Sequence, residues 1–527
     1  MFFKISVPLA SGVMALAVLP VQAQIACDAL GAQALTGVSV TSAQPVAATD
    51  AQPAHCEVLA QVPPSDPEGW PINLRVVLPE EWSGAAVQFG GGGYNGIIPR
   101  QDGGRWQTAD AAAAFPHRGH VTFSGDSGHS VDNLPLGPEA DPRRASFALN
   151  DEAFTRYART SVGETYEAAM QIIEAHYGRA PELRYFIGFS QGGKEAMIAA
   201  QDHPTRYNGI LAGDPVSNLS GLNFAHLQSS MGFYGNEGAG WVSPELAPLV
   251  TEAVYAQCDP QDGLADGWIA DFEGCAPDLT GLLCAEGATE GCLTQAQIDA
   301  VTNMHRPVTL DYELANGLTG HAGYPWGNTA WQGSFAGSRA QPSRPAPNQG
   351  ANDGYVWGLG DAYARFILAR DEAYDSFGFD PNDPALRDRI QEISALLDAT
   401  NPDLSAFHDH GGRLILYAGG ASEVPPAEVA AYWTRVIETL GSEVVQDFAR
   451  FYIFPSINHG GVGPAGMPNR ADLFSVLEAW VTEDQAPGEL VNASEDGSVT
   501  RPLCLYPTWP QYQSGPEAEA ASFRCVE

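Results

Sequence analysis

The sequence predicts an α/β fold: a mostly parallel sheet covered by helices and interrupted by one large insertion. Three observations lead there. Short apolar runs alternate with helically spaced segments from residue 72 to about residue 220. The alternation stops over residues 221–400 and returns at Arg413. A Gly-x-Ser-x-Gly motif, Gly188 to Gly192, lies between a strand and a helix of the first block.

The chain has 527 residues, 44% of them hydrophobic, which is enough for a large core built from cooperating domains. Met1 to Lys4 is a short basic start, followed by an apolar run to Leu19. Val21-Gln22-Ala23 supplies small residues at cleavage spacing. Residues 1–23 are therefore expected to be a signal peptide, with an uncleaved anchor as the alternative. The run is short for a membrane span, and no second span is read. Residues 24–66 are rich in Ala and Pro and read as an N-terminal arm.

Ile72 to Leu78, Ala85 to Phe89 and His120 to Ser124 have the pattern of strands. Residues 163–178 carry Ala168, Ile172 and Ile173 on one helical face. Arg184 to Gly188 is a strand, Lys194 to Gln201 a helix and Gly209 to Gly213 a strand. Residues 221–400, rich in Gly, Trp, Tyr and acidic residues, read as a lid inserted between two core parts, 24–220 and 401–527. In the second part Arg413 to Tyr417 and Phe451 to Phe454 are strands, and Leu473 to Val481 is a helix.

Eight cysteines occur as four neighbouring couples: Cys27 and Cys56, Cys258 and Cys275, Cys284 and Cys292, Cys504 and Cys525. An even count behind an export signal suggests four local disulfides, although spacing alone does not prove connectivity. The absence of a Cys-x-x-Cys pair argues against the zinc alternative. Lys plus Arg number 26 against 63 Asp plus Glu, a formal charge of −37. Such a chain repels nucleic acid and anionic membranes, so neither is expected as a partner. The expected location is secreted or periplasmic.

Gly188-Phe189-Ser190-Gln191-Gly192-Gly193 has the context of a nucleophile elbow. A turn that tight needs small residues around the serine, and it lifts Ser190 over the start of the next helix. The N–H of Gln191 then points at a developing oxyanion. Serine needs a base at neutral pH, and His459 follows the late strand in the Ser–acid–His order of an α/β-hydrolase. Glu423 is the only carboxylate in the loop after Tyr417 and is the expected acid; Asp409, before that strand, is the alternative. Gly91, Gly92 and Gly93 follow a strand and suit the second half of an oxyanion hole, a Gly-rich hairpin being the alternative.

Asp259, Asp262 and Asp266 lie within eight residues of a glycine-containing loop. Hard oxygen donors in a turning loop suit Ca²⁺, although the spacing is not that of an EF-hand and a solvated acidic turn has the same composition.

Several motifs together resemble the tannase and feruloyl esterase family, which includes mono-(2-hydroxyethyl) terephthalate hydrolases. They are residues 88–96 (Gln-Phe-Gly-Gly-Gly-Gly-Tyr-Asn-Gly), residues 118–130 (Arg-Gly-His-Val-Thr-Phe-Ser-Gly-Asp-Ser-Gly-His-Ser) and residues 177–181. The elbow, residues 401–407 with 411–417, residues 501–504 and residues 523–525 complete the set, so the resemblance spans nearly the whole mature chain.

The resemblance implies an α/β-hydrolase core with a large lid, a serine esterase, and substrates that are small esters of aromatic carboxylic acids. It implies a structural lid Ca²⁺ held by the side chains of Asp259, Asp262 and Asp266 and the carbonyls of Leu264 and Trp268. It also matches the four cysteine couples. Two positions depart from the pattern. Phe189 and Gly460 stand where the family has a bonded cysteine pair, so packing is expected to replace that staple. Ser422 stands where the family has the acid, with Glu423 one residue later. These departures motivate a second reading, a catalytically impaired binding relative; a third keeps the serine chemistry but takes aliphatic or other carboxylic esters. In the lid, Trp326, Trp331, Tyr355 and Trp357 are candidates to stack on an aromatic ring.

Overall fold

The computed structural model describes residues 25–50, 52–99, 115–136, 141, 143–288, 290–340 and 353–527. The signal segment, residues 1–23, lies outside the described residues. The first strands are β1 (Ser39–Val46), β2 (His55–Val62), β3 (Ile72–Pro79), β4 (Ala85–Phe89), β5 (Val121–Gly125), β6 (Leu183–Phe189) and β7 (Gly209–Gly213). A two-residue pair follows within the insertion, β8 (Val308–Thr309) with β9 (Gly320–His321). Then come β10 (Arg413–Gly419) and β11 (Ala449–Phe454). Two C-terminal hairpins, β12 (Leu490–Ala493) with β13 (Thr500–Leu503) and β14 (Trp509–Tyr512) with β15 (Phe523–Val526), end the chain.

Among the described residues nine strands form the main sheet, in the order β1-β2-β3-β5-β4-β6-β7-β10-β11. The steps from β1 to β5 are antiparallel and those from β5 to β11 are parallel. Burial follows that division. In β3, Ile72, Leu74, Val76 and Leu78 are buried and alternate with partly exposed residues. All five residues of β7 are buried, because helices cover both faces of the parallel part.

One face carries α1 (Ser161–Tyr177) and α2 (Gln191–Asp202), whose apolar sides close a core around Val76, Phe186, Ile210 and Leu416. The other face packs Tyr185, Leu211, Ile415 and Phe454 under Leu473, Phe474, Leu477 and Trp480. Those last four belong to the helix Leu473–Glu483.

Residues 24–66 are more than an arm. They supply β1 and β2, which extend the sheet by two antiparallel strands, and Cys27–Cys56 ties them to the turn before β1. Ala and Pro are poor strand formers by composition, and Pro45 is tolerated because β1 is an edge strand.

Between β7 and β10 the chain leaves the sheet and folds mainly as helices, beginning with α3 (Leu219–Tyr234). Their core is continuous with Phe147, Phe154 and Tyr157 of the body and with Tyr94 of the loop after β4. The insertion is thus pinned to the segment that carries the glycine run. Disulfides join Cys258 to Cys275, Cys284 to Cys292 and Cys504 to Cys525, as the local couples suggested. Among the described residues no helix is long and apolar enough to cross a membrane.

Candidate active site

Parallel strands bring their C-terminal ends to one edge of a sheet. Here β6, β7, β10 and β11 are consecutive neighbours, and the loops after them carry Ser190, Asp214, Ser422 with Glu423, and His459. Ser190 has φ 61° and ψ −123°, a conformation costly for a non-glycine residue and typical of a strand-to-helix elbow. The flanking glycines are required by space. A Cβ on Gly188 would lie 1.9 Å from the carbonyl oxygen of Gly192, and one on Gly193 would lie 2.5 Å from that of Gly213.

Ser190 Oγ lies 2.8 Å from His459 Nε2. On the other side of the imidazole, Nδ1 lies 3.1 Å from Asp214 Oδ2 and 3.2 Å from Ser422 Oγ. Asp214 is fully buried and has φ 37°. Its Oδ1 accepts from the N–H of Gly419 at 2.8 Å, and its Oδ2 accepts from the Ser422 hydroxyl at 2.9 Å. The carboxylate is therefore held by two groups while it faces the ring.

This corrects the expectation for Glu423. Its Oε2 accepts from the backbone N–H of His459 at 3.0 Å, and its Oε1 accepts from the Ser334 hydroxyl at 2.5 Å. It ties the histidine loop to the insertion and leaves Nδ1 to Asp214. The alternative, Asp409, has a largely exposed side chain beside His408. Glu423 and Asp409 flank β10, whereas Asp214 follows β7, so sequence reasoning centred on β10 does not reach it. The usable signal was an aspartate directly after an apolar strand, in Gly213-Asp214-Pro215, which also satisfies the order Ser–acid–His.

Phe189, the residue before Ser190, is held by packing. The ring of Phe189 stacks on His459, with centroids 4.9 Å apart and planes at 23°. Asn458 Oδ1 accepts from the N–H groups of Gly460 and Val462, which fixes the turn after the histidine.

The glycine run divides in two. Gly90 and Gly91 pack against α2 and its neighbours, where a Cβ would clash at 2.6 Å with Gly192 and at 2.0 Å with Asn95. The Gly91 N–H donates to Glu195 Oε2 at 2.9 Å, so it is withdrawn from the oxyanion role expected for it. Gly92 and Gly93 face open space, and Gly93 borders the cavity above Ser190 together with Gln191. That cavity, about 530 Å³ including its open mouth, is lined by Tyr94, Tyr157, Leu219, His226, Tyr355 and Val424 among others. Of the four lid aromatics, Tyr355 lines it, Trp357 is buried in the insertion's core, and Trp326 and Trp331 line a separate space of about 400 Å³. Burial pushes His226 down to about 3, so its imidazole meets the cavity uncharged.

The aspartate loop lies beside the C-terminal hairpins. Asp259 accepts from the N–H groups of Asp266, Gly267 and Trp268, Asp262 from Leu264, and Asp266 from Trp268 and the Arg501 guanidinium. Burial pushes Asp262 up to about 7, with the nearby Asp266 and Asp259 charges adding to it. The donor types thus fit a hard cation. In their present orientation the side chains are turned to internal donors, and among the described residues no group of three or more His, Cys, Asp or Glu is disposed as a metal cage.

The model for tannase and feruloyl esterase matches residues 56–526. The chain belongs to the tannase and feruloyl esterase family. It is a carboxylic ester hydrolase. It is 32% identical to an uncharacterised esterase of Agrobacterium fabrum, over 93% of this chain and 90% of that protein. It is 28% identical to mono(2-hydroxyethyl) terephthalate hydrolase of Piscinibacter sakaiensis, over 96% and 92%. Its fold matches that of feruloyl esterase B from Aspergillus oryzae with a TM-score of 0.77, at 21% identity over 95% of this chain and 99% of that one. These likenesses bear out the α/β-hydrolase core expected from the sequence.

Proposed function

We propose that this family member is an exported serine esterase acting on esters of aromatic carboxylic acids through an acyl-enzyme. The observation that carries the reading is the continuous path Ser190 Oγ–His459–Asp214, with links of 2.8 Å and 3.1 Å. His459 Nε2 takes the Ser190 proton as Oγ attacks the ester carbonyl. The N–H groups of Gln191 and of Gly92 or Gly93 receive the oxyanion, and Asp214 holds the imidazolium that forms. His459 then protonates the leaving alcohol, and water attacks the acyl-enzyme by the same route in reverse.

The aromatic acyl group is favoured by the cavity lining, in which Tyr94, Tyr157 and Tyr355 are joined by Val216, Leu219, Leu222 and Leu359. The relatives' names, a terephthalate monoester hydrolase and feruloyl esterases, support the same class. Four disulfides and the leader-like first 23 residues support export. A structural Ca²⁺ in the aspartate loop would be held by Asp259, Asp262, Asp266 and the carbonyls of Leu264 and Trp268; what supports it is the all-oxygen donor set with three neighbouring carboxylates.

The test is hydrolysis of methyl ferulate, methyl gallate and p-nitrophenyl acetate by wild type and Ser190→Ala, with fluorophosphonate labelling of both. Labelling at Ser190 and faster turnover of an aromatic ester uphold the reading. Labelling with preference for the acetate moves the substrate to aliphatic esters. No labelling identifies a catalytically impaired relative.

A further inference from the structure

The glycine run poses a physical problem. Gly92 and Gly93 carry no side chains and have nothing within 4 Å of where a Cβ would stand. Glycine backbone loses more entropy than any other when it is ordered. Yet an oxyanion hole works only if its donors are in place before charge develops.

One buried carboxylate brackets these two residues. Glu195 belongs to α2, four positions after Gln191 and hence on the same helical face. Its Oε2 accepts from the N–H of Gly91 at 2.9 Å and its Oε1 from Asn95 Nδ2 at 2.6 Å. Gly91 lies just before Gly92 and Gly93, and Asn95 lies just after them and Tyr94. The Asn95 N–H also donates to the carbonyl of Gly92 at 3.0 Å, which closes the turn. Glu195 is buried beside Lys194, whose ammonium faces the Tyr157 ring and the carbonyl of Ala158.

We propose that Glu195 is a positioning residue that holds the two halves of the oxyanion hole in register, the Gln191 N–H on α2 and the Gly92–Gly93 amides on the loop after β4. This rests on Ser190 being the nucleophile. The carboxylate touches no reacting atom. It acts by fixing both ends of the glycine turn to the helix that follows the nucleophile.

The test compares wild type with Glu195→Ala, Glu195→Gln and Asn95→Ala on p-nitrophenyl acetate, and measures inhibition by phenylboronic acid, which forms a tetrahedral adduct on an active serine. In Glu195→Ala, kcat is expected to fall by about 10²- to 10³-fold, the size of losing one oxyanion donor, while KM changes little. Boronate affinity should fall in parallel. Glu195→Gln keeps an acceptor for Gly91, and its amide can pair with Asn95 Oδ1, which has no partner here, so it should recover most of the rate.

If Glu195→Ala does not fold, Asn95→Ala, which removes one arm only, should show the same split at smaller size. An active wild type with unchanged kcat and boronate affinity in a folded Ala variant overturns the clamp alone. So does a Gln variant as slow as the Ala variant. A wild type inert to esters and to fluorophosphonate overturns the esterase reading and the clamp with it.

Discussion

Asp214 Oδ2 lies 3.1 Å from His459 Nδ1, although Asp214 follows β7, the neighbour of β6, and not β10. The loop after β10, where the acid was expected, presents Ser422, whose hydroxyl donates to that same Oδ2. The carboxylate thus stands one strand along the sheet edge from Ser422 while both meet the same ring nitrogen.

Asp214→Asn is expected to lower kcat by about 10²- to 10⁴-fold, because the amide no longer stabilises an imidazolium. Glu423→Gln keeps an acceptor for the His459 N–H and should cost less than about tenfold. Ser422→Asp in the Asp214→Asn background places a carboxylate on a side chain whose Oγ is already 3.2 Å from Nδ1 and should recover at least about tenfold. Steady-state kinetics of the three variants would check this; an Asp214→Asn enzyme at full rate would remove Asp214 from the mechanism.

Phe189 backs the His459 ring by packing. It is 6% exposed and stacked on the His459 ring. Phe189→Ala should destabilise the fold by about 3–5 kcal/mol through the cavity it leaves, and should lower kcat as His459 loses its backing. Denaturant melts alongside rates would separate the two effects.

Gly91 and Gly93 should respond oppositely to alanine. A Cβ at Gly91 meets Asn95 at 2.0 Å, so Gly91→Ala should lower the melting temperature by several degrees. A Cβ at Gly93 meets nothing, so Gly93→Ala should melt like wild type yet raise KM, since the methyl enters the substrate cavity. Calorimetry and kinetics on both variants decide this.

Calcium should stabilise the protein by mass action, about 2.7 kcal/mol at a hundredfold excess over Kd. Thermal melts in CaCl₂ and in EDTA should differ by a few degrees, and Asp262→Asn should abolish the difference. The Ile269 N–H, just beyond the aspartate loop, donates to Ser456 Oγ at 2.7 Å, three residues before His459. Chelation is therefore also expected to lower kcat. Melts that ignore calcium would leave Asp259, Asp262 and Asp266 with a purely hydrogen-bonded role.

Features that depend on short-range pattern are readable in the residues alone. Strands at Ala85–Phe89 and Gly209–Gly213 were legible to the residue, because central parallel strands are continuous apolar runs bounded by turns. Ser190 and His459 were legible because an elbow and a post-strand histidine are local motifs. The strands β1 and β2 were not legible, since their pairing and not their composition makes them strands. Only the tertiary structure decided the acid. Residues 214, 422 and 423 all stand after strands at one sheet edge, and no local rule says which carboxylate reaches a ring contributed by residue 459. That choice is set by strand order and by side-chain direction at distances of about 3 Å, where the burial of Asp214 and its three hydrogen-bond partners outweigh the loop position of Glu423.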